Sequence, residues 1–163
     1  MTADSVRRSL DLGCGENVKN PFAAEELYGI DIRSDLEKNI YKADLVIEAI
    51  PFPGKFFDYV TAHDFLEHIP RIIYAPTHRF PFIELLNEIY RVLKTHGFFL
   101  SITPIYPHPQ AFADPTHVNY MTEHTFPVYF VQNWAAQYGW RGSFKLIEQN
   151  MHGGHLKTIL QKQ

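Results

Sequence analysis

Leu10-Asp11-Leu12-Gly13-Cys14-Gly15-Glu16-Asn17 is the stretch on which the fold turns. Residues 9–12 read as a short buried strand. It stops on two glycines one residue apart, which let the backbone turn sharply and pass close to a ligand. Asp31 ends the next predicted strand, 27–32, twenty positions after Asp11. A carboxylate there can accept hydrogen bonds from both hydroxyls of a ribose, so the glycine turn with its distal acid points to a nucleoside-containing cofactor. The simpler role for Asp31 is to cap a following helix.

Working outward, short apolar runs alternate with longer periodic ones. Further strands are predicted at 39–44, 57–62, 97–103, 144–150 and 155–161, the last two joined through Gly153-Gly154 as a hairpin. Phe82, Leu85, Leu86, Ile89, Tyr90 and Leu93 recur every three or four residues, which makes one face of a helix over 82–94 apolar. A second helix is predicted over 122–138, with Thr122 as N-cap and Gly139 as stop. Strands alternating with helices call for an α/β fold in three layers: a doubly wound, mostly parallel, Rossmann-like sheet closed by an antiparallel C-terminal hairpin. Ligands of such a sheet bind at the carboxyl ends of its strands.

The chain has 163 residues, with 45% hydrophobic and 20% charged. That length is enough for one domain, and with no repeat or Gly/Ser linker the whole of 1–163 is expected to form it. A net charge of -3 gives no basic field, so composition offers no support for nucleic acid as a partner. Cys14 is the single cysteine, which rules out an internal disulfide and fits a reducing compartment. Residues 1–10 contain no apolar stretch of signal length and no other run approaches membrane-spanning length, so a cytoplasmic protein off the membrane is expected.

The choice of cofactor rests on Val18. A nicotinamide fingerprint wants Gly or Ala there, where helix, strand and pyrophosphate meet. The gap between Gly15 and Tyr28 leaves room for a helix of at most two turns. A strong diphosphate site is therefore disfavoured, whereas S-adenosylmethionine carries no phosphate.

Asp11-Leu12-Gly13-Cys14-Gly15 resembles the first motif of class I S-adenosylmethionine-dependent methyltransferases, and Tyr28-Gly29-Ile30-Asp31-Ile32 resembles the second. Pro51-Phe52-Pro53 with Phe57-Asp58-Tyr59-Val60, then Phe65-Leu66-Glu67-His68-Ile69-Pro70, then Arg91-Val92-Leu93-Lys94 with Gly97 and Ile102, are similar to the later segments, in family order. The resemblance departs at Asn17, which replaces a third glycine, and at Thr95-His96, which replaces a Pro-Gly turn. The helical residues that usually precede the first strand are missing, so the site is expected to be open or closed by a partner chain, such as a second copy.

What the resemblance implies is S-adenosylmethionine binding and methyl transfer. Asp11, Gly13 and Gly15 would hold the methionine end, Asp31 the ribose hydroxyls, and Ile32 the adenine face. Asp44 and Leu45 would meet the adenine edge, although Asp44 also suits a turn. His63 would line the methionine moiety or cap a helix, with Asp64 close by. Glu67 and His68 are expected to be structural, bonding to nearby backbone. Two segments, 71–81 and 104–121, would build the acceptor pocket. The run Asp114-Pro115-Thr116-His117-Val118 resembles loops of methyltransferases acting on glycans or small metabolites. His117 is the candidate base, oriented by Asp114, against the simpler role of pinning its loop to the backbone. No metal site is expected, because His63 and His68 do not share a helical face. The acceptor is left unidentified, and the alternative to an enzyme is an inactive cofactor-binding subunit or regulator.

Overall fold

The structure is a computed structural model that describes residues 6–163. The first five positions, part of the segment read as lacking a leader, lie outside the described residues.

Seven strands form one sheet: β1 (Arg8–Leu12), β2 (Glu26–Asp31), β3 (Ile40–Lys42), β4 (Phe57–His63), β5 (Leu93–Pro104), β6 (Phe144–His152) and β7 (His155–Lys162). Their order is β3-β2-β1-β4-β5-β7-β6. The first five are mutually parallel, and β7 runs antiparallel between β5 and β6. The chain winds outward from β1 to β3 and returns at β4. The order therefore reverses between β1 and β4, and a Rossmann-like α/β sheet opens its ligand crevice at that switch point.

The long helix α1 (Pro81–Val92) packs between β4 and β5 in sequence. Pro81 supplies the fixed φ of a first helical residue, and Phe82, Leu85, Leu86, Ile89 and Val92 are buried along one face. It stops two residues earlier than the periodicity predicts, because Leu93 and Lys94 turn extended and start β5. Lys162 at the end of β7 donates its ammonium to the carbonyls of Tyr90 and Leu93, which satisfies acceptors that the end of α1 leaves free.

The second predicted helix is broken. A five-residue π segment (Pro127–Val131) and a 3-10 segment (Trp134–Tyr138) replace it, parted by Asn133 in the left-handed region. The left-handed backbone of Asn133, φ 65°, takes the chain out of the helical region and accounts for the break, whereas Pro127 sits in the first turn, where its missing N–H is tolerated. The predicted stop holds, since Gly139 caps the 3-10 segment at φ 95°. The N-cap of the π segment is Phe126 and not Thr122, whose Oγ1 accepts from the His124 amide in the turn before it. Phe126, Phe130 and Trp140 from this region pack with Phe82, Phe99 and Phe144 in one aromatic core. Across β4 and β5, Phe22 stacks on Tyr59 at 4.4 Å, so the helix-free connection between β1 and β2 covers that side.

Among the described residues no helix is long and apolar enough to cross a membrane.

Candidate functional site

Asp11 with the Gly13–Gly15 turn at the end of β1, Asp31 at the end of β2 and His63 at the end of β4 lie at the carboxyl ends of adjacent parallel strands. Gly13 and Gly15 both take left-handed backbone, φ 64° and 61°. The third turn position, Asn17, needs no positive φ, so the turn survives the loss of the family glycine. The amides of Gly13 and Cys14 both donate to the Ile30 carbonyl, at 2.9 and 3.1 Å, and clamp the turn to β2. A Cβ on Gly13 would overlap the ring of Phe65, whereas one on Gly15 would meet open space.

Asp11 is 1% exposed. Its carboxylate accepts from Thr61 Oγ1 at 2.7 Å and from the Lys19 amide at 2.9 Å, tying the far end of the loop to the sheet. Thr61 is a partner that no motif announced, but it sits opposite Asp11 in the β1–β4 register. His63 Nδ1 lies 3.5 Å from Asp11 Oδ1 without hydrogen-bond alignment, and it has no hydrogen-bond partner among the described residues.

Asp31 accepts from the Gly15 amide at 3.1 Å on one oxygen. On the other it accepts from the Arg33 amide and guanidinium at 3.2 and 3.3 Å. Ile32 beside it is 68% exposed. Asp44 accepts from the Val46 amide at 3.0 Å, the turn-forming arrangement weighed for it, and Leu45 is buried. Asp64 has φ 49° and an exposed carboxylate 3.1 Å from His155 Nε2. Cys14 is buried, and burial, Asp11 and Asp31 together push its thiol up to about 11, the state of an unreactive turn residue.

Segments 71–81 and 104–121 are the ones expected to wall an acceptor pocket. They meet at a cavity of about 420 Å³ whose walls include Arg71, Phe80, Asn119, Tyr120, Tyr129 and Tyr138. Arg71 joins them, donating to Asn119 Oδ1 at 2.6 Å and to the Tyr120 carbonyl. Asp114 does not orient His117. Its carboxylate accepts from the Thr116 amide at 2.7 Å and hydroxyl at 2.6 Å, because an aspartate two residues ahead of an amide closes its own local turn. His117 is held through Nδ1 by the Ala111 carbonyl at 3.1 Å.

Glu67 and His68 depart furthest from expectation. Glu67 is 2% exposed, and neither carboxylate oxygen has a hydrogen-bond partner among the described residues. Only its backbone is structural: its carbonyl accepts from Val118 and Asn119 at 2.9 and 3.0 Å. Burial pushes its carboxyl up to about 7. His68 bonds the Thr116 hydroxyl at 3.0 Å, not backbone, and its ring lies edge-on to His117 at 4.9 Å.

The model of a family described as "Methyltransferase domain" matches residues 10–101. No curated protein matches the chain. Among solved structures, a SAM dependent methyltransferase from Archaeoglobus fulgidus is 19% identical, with 97% of this chain and 87% of that one covered and a TM-score of 0.61. A Haloferax volcanii complex between the Trm112 methyltransferase activator and a methyltransferase is similar at 14% identity, covering 99% and 84%, TM-score 0.67. The [4+2]-cyclase SpnF is similar at 15% identity, covering 96% and 74%, TM-score 0.62. At such identities the likeness is one of fold.

Proposed function

The chain belongs to the methyltransferase domain family, and from that premise we propose that it moves a methyl group from S-adenosylmethionine to a small-molecule or glycan-type acceptor. The observation that carries the reading is the tie between the Gly15 amide and the Asp31 carboxylate, which sets a bare turn and a lone acid on one crevice.

The residues fit such a cofactor. Open space stands over Gly15, Ile32 presents an uncovered aliphatic face, and His63 Nδ1 is buried without a hydrogen bond. In this reading Asp31 takes the ribose hydroxyls, exchanging an exposed contact with Arg33 of the kind that contributes about 0–1 kcal/mol. Ile32 covers the adenine face, with Asp44 and Leu45 at its edge. Gly13, Gly15, His63 and Asp64 border the methionine end. Asp11 acts at one remove, by holding the loop.

Bound S-adenosylmethionine supplies an electrophilic methyl on a sulfonium. The chain's own contribution is alignment of the nucleophile, which lowers such barriers by roughly 7 kcal/mol or more in good cases. The aromatic cavity beside α1 suits a flat or sugar-like acceptor. With Nδ1 bonded to a carbonyl, the neutral His117 ring bears its lone pair on Nε2, where it is able to accept a proton. Calorimetry with S-adenosylmethionine against nicotinamide dinucleotides tests the cofactor, and preference for the dinucleotides would sink the reading. Formation of the demethylated cofactor with an acceptor panel tests turnover. A second reading, a cofactor-binding subunit that is inactive alone, is favoured by the exposed Ile32, Leu36 and Ile47 after the ends of β2 and β3. It predicts binding without turnover.

A further inference from the structure

Glu67, His68 and His117 each offer a ligand atom, and the three atoms lie within 4.8 Å of one another. We propose that these three side chains form a binding site for a divalent first-row transition cation of the zinc class. Two imidazoles and one carboxylate make a donor set such cations accept, with remaining positions open.

Three observations support the site. First, Glu67 is buried with both oxygens unpartnered, an arrangement that costs free energy unless something positive sits there. Second, both histidines are fixed as ligands are fixed. His117 donates Nδ1–H to the Ala111 carbonyl, which leaves the Nε2 lone pair free. Thr116 donates its hydroxyl hydrogen to Asp114, so that oxygen accepts from His68 Nδ1–H and again leaves Nε2 free. Asp114, Thr116 and His68 are thus a carboxylate–hydroxyl–imidazole relay of the kind that supports metal ligands from behind. Third, His68 and His117 are half-buried, so the two imidazoles are not sealed from solvent.

A cation seated ~2.1 Å from each ligand would draw the three atoms together by about 1 Å, within reach of side-chain rotation. The site depends on these residues alone and stands whether or not the chain transfers methyl groups. A cation on His117 Nε2 takes the lone pair that a general base would use, however, so the two roles of His117 exclude each other.

The test is titration of chelator-stripped protein with zinc chloride by calorimetry. Wild type should take up one Zn²⁺ per chain. Glu67→Gln and His117→Ala should each weaken uptake at least 100-fold, and Thr116→Val, which removes only the relay, about 10-fold or more. His152→Ala, on the hairpin, should leave it unchanged. Because Glu67→Gln is buried and could impair folding, Co²⁺ is added to wild type as a second readout. Intense visible bands of a four- or five-coordinate ion support the site, and the weak spectrum of a hydrated ion overturns it. Absence of stoichiometric uptake, or His117→Ala binding as wild type does, also overturns it.

Discussion

The backbone amide of Gly15 donates to Oδ2 of Asp31 at 3.1 Å, so the turn after the first strand and the tip of the second are one unit. The acid is placed by the same turn it helps to hold. Substitution of either residue should therefore disturb both the crevice and the ligand in it.

Asp31→Ala should weaken S-adenosylmethionine binding by about 2 kcal/mol, roughly 30-fold, the scale of hydrogen bonds to a charged group. Calorimetric affinity checks it. Affinity within twofold of wild type would remove Asp31 from the ribose site.

Gly13→Ala combines a left-handed φ with overlap onto Phe65 and should cost about 2–4 kcal/mol in urea unfolding. Gly15→Ala meets open space, so only the backbone penalty of ~1–2 kcal/mol applies. Adding Phe65→Ala to Gly13→Ala should recover part of the loss, and strict additivity would show that the ring is not the obstacle.

Cys14 should resist alkylation at pH 8 in the folded protein and react readily in urea. Its thiol is raised from 9.0 to about 11, burial acting first and Asp11 and Asp31 next. The sign follows from the folded state holding the proton more tightly. The thiol's contribution to stability is complete below pH 9 and is lost as pH climbs through 11. Rapid modification of native protein at pH 8 would contradict this.

His96 has φ 65° just before Gly97 in β5, where the family resemblance places a glycine. His96→Gly should stabilise the fold by about 0.5–1 kcal/mol, or roughly 2–3 °C in Tm. A lower melting temperature would mean that the ring makes a contact worth more than the strain.

Strand positions and the crevice were legible because they depend on local rules: apolar runs, two glycines, and an acid at a strand end. The break at Asn133 was harder to read, because an asparagine in left-handed backbone interrupts a helix without disturbing the apolar period around it. The groups beside the crevice were harder to foresee. Glu67 and His117 are fifty positions apart, and His68 finds Asp114 only through a threonine hydroxyl. Spacing rules relate residues only within one helix or strand, so they bear on His63 against His68 and are silent on His68 against His117. A loop folding back over the end of β4 is a tertiary event with no periodic trace.

The position of β7 bears on how the molecule assembles during synthesis. β5 has no neighbour on its far side until a strand made much later arrives, and β6, made first, must wait outside for it. Until then the emerging polypeptide carries a bare, hydrogen-bond-hungry border, the kind of template that invites mispairing. The ammonium of Lys162, made after every strand of the sheet has begun, reaches back to Tyr90 and Leu93 and latches the helix to the completed sheet.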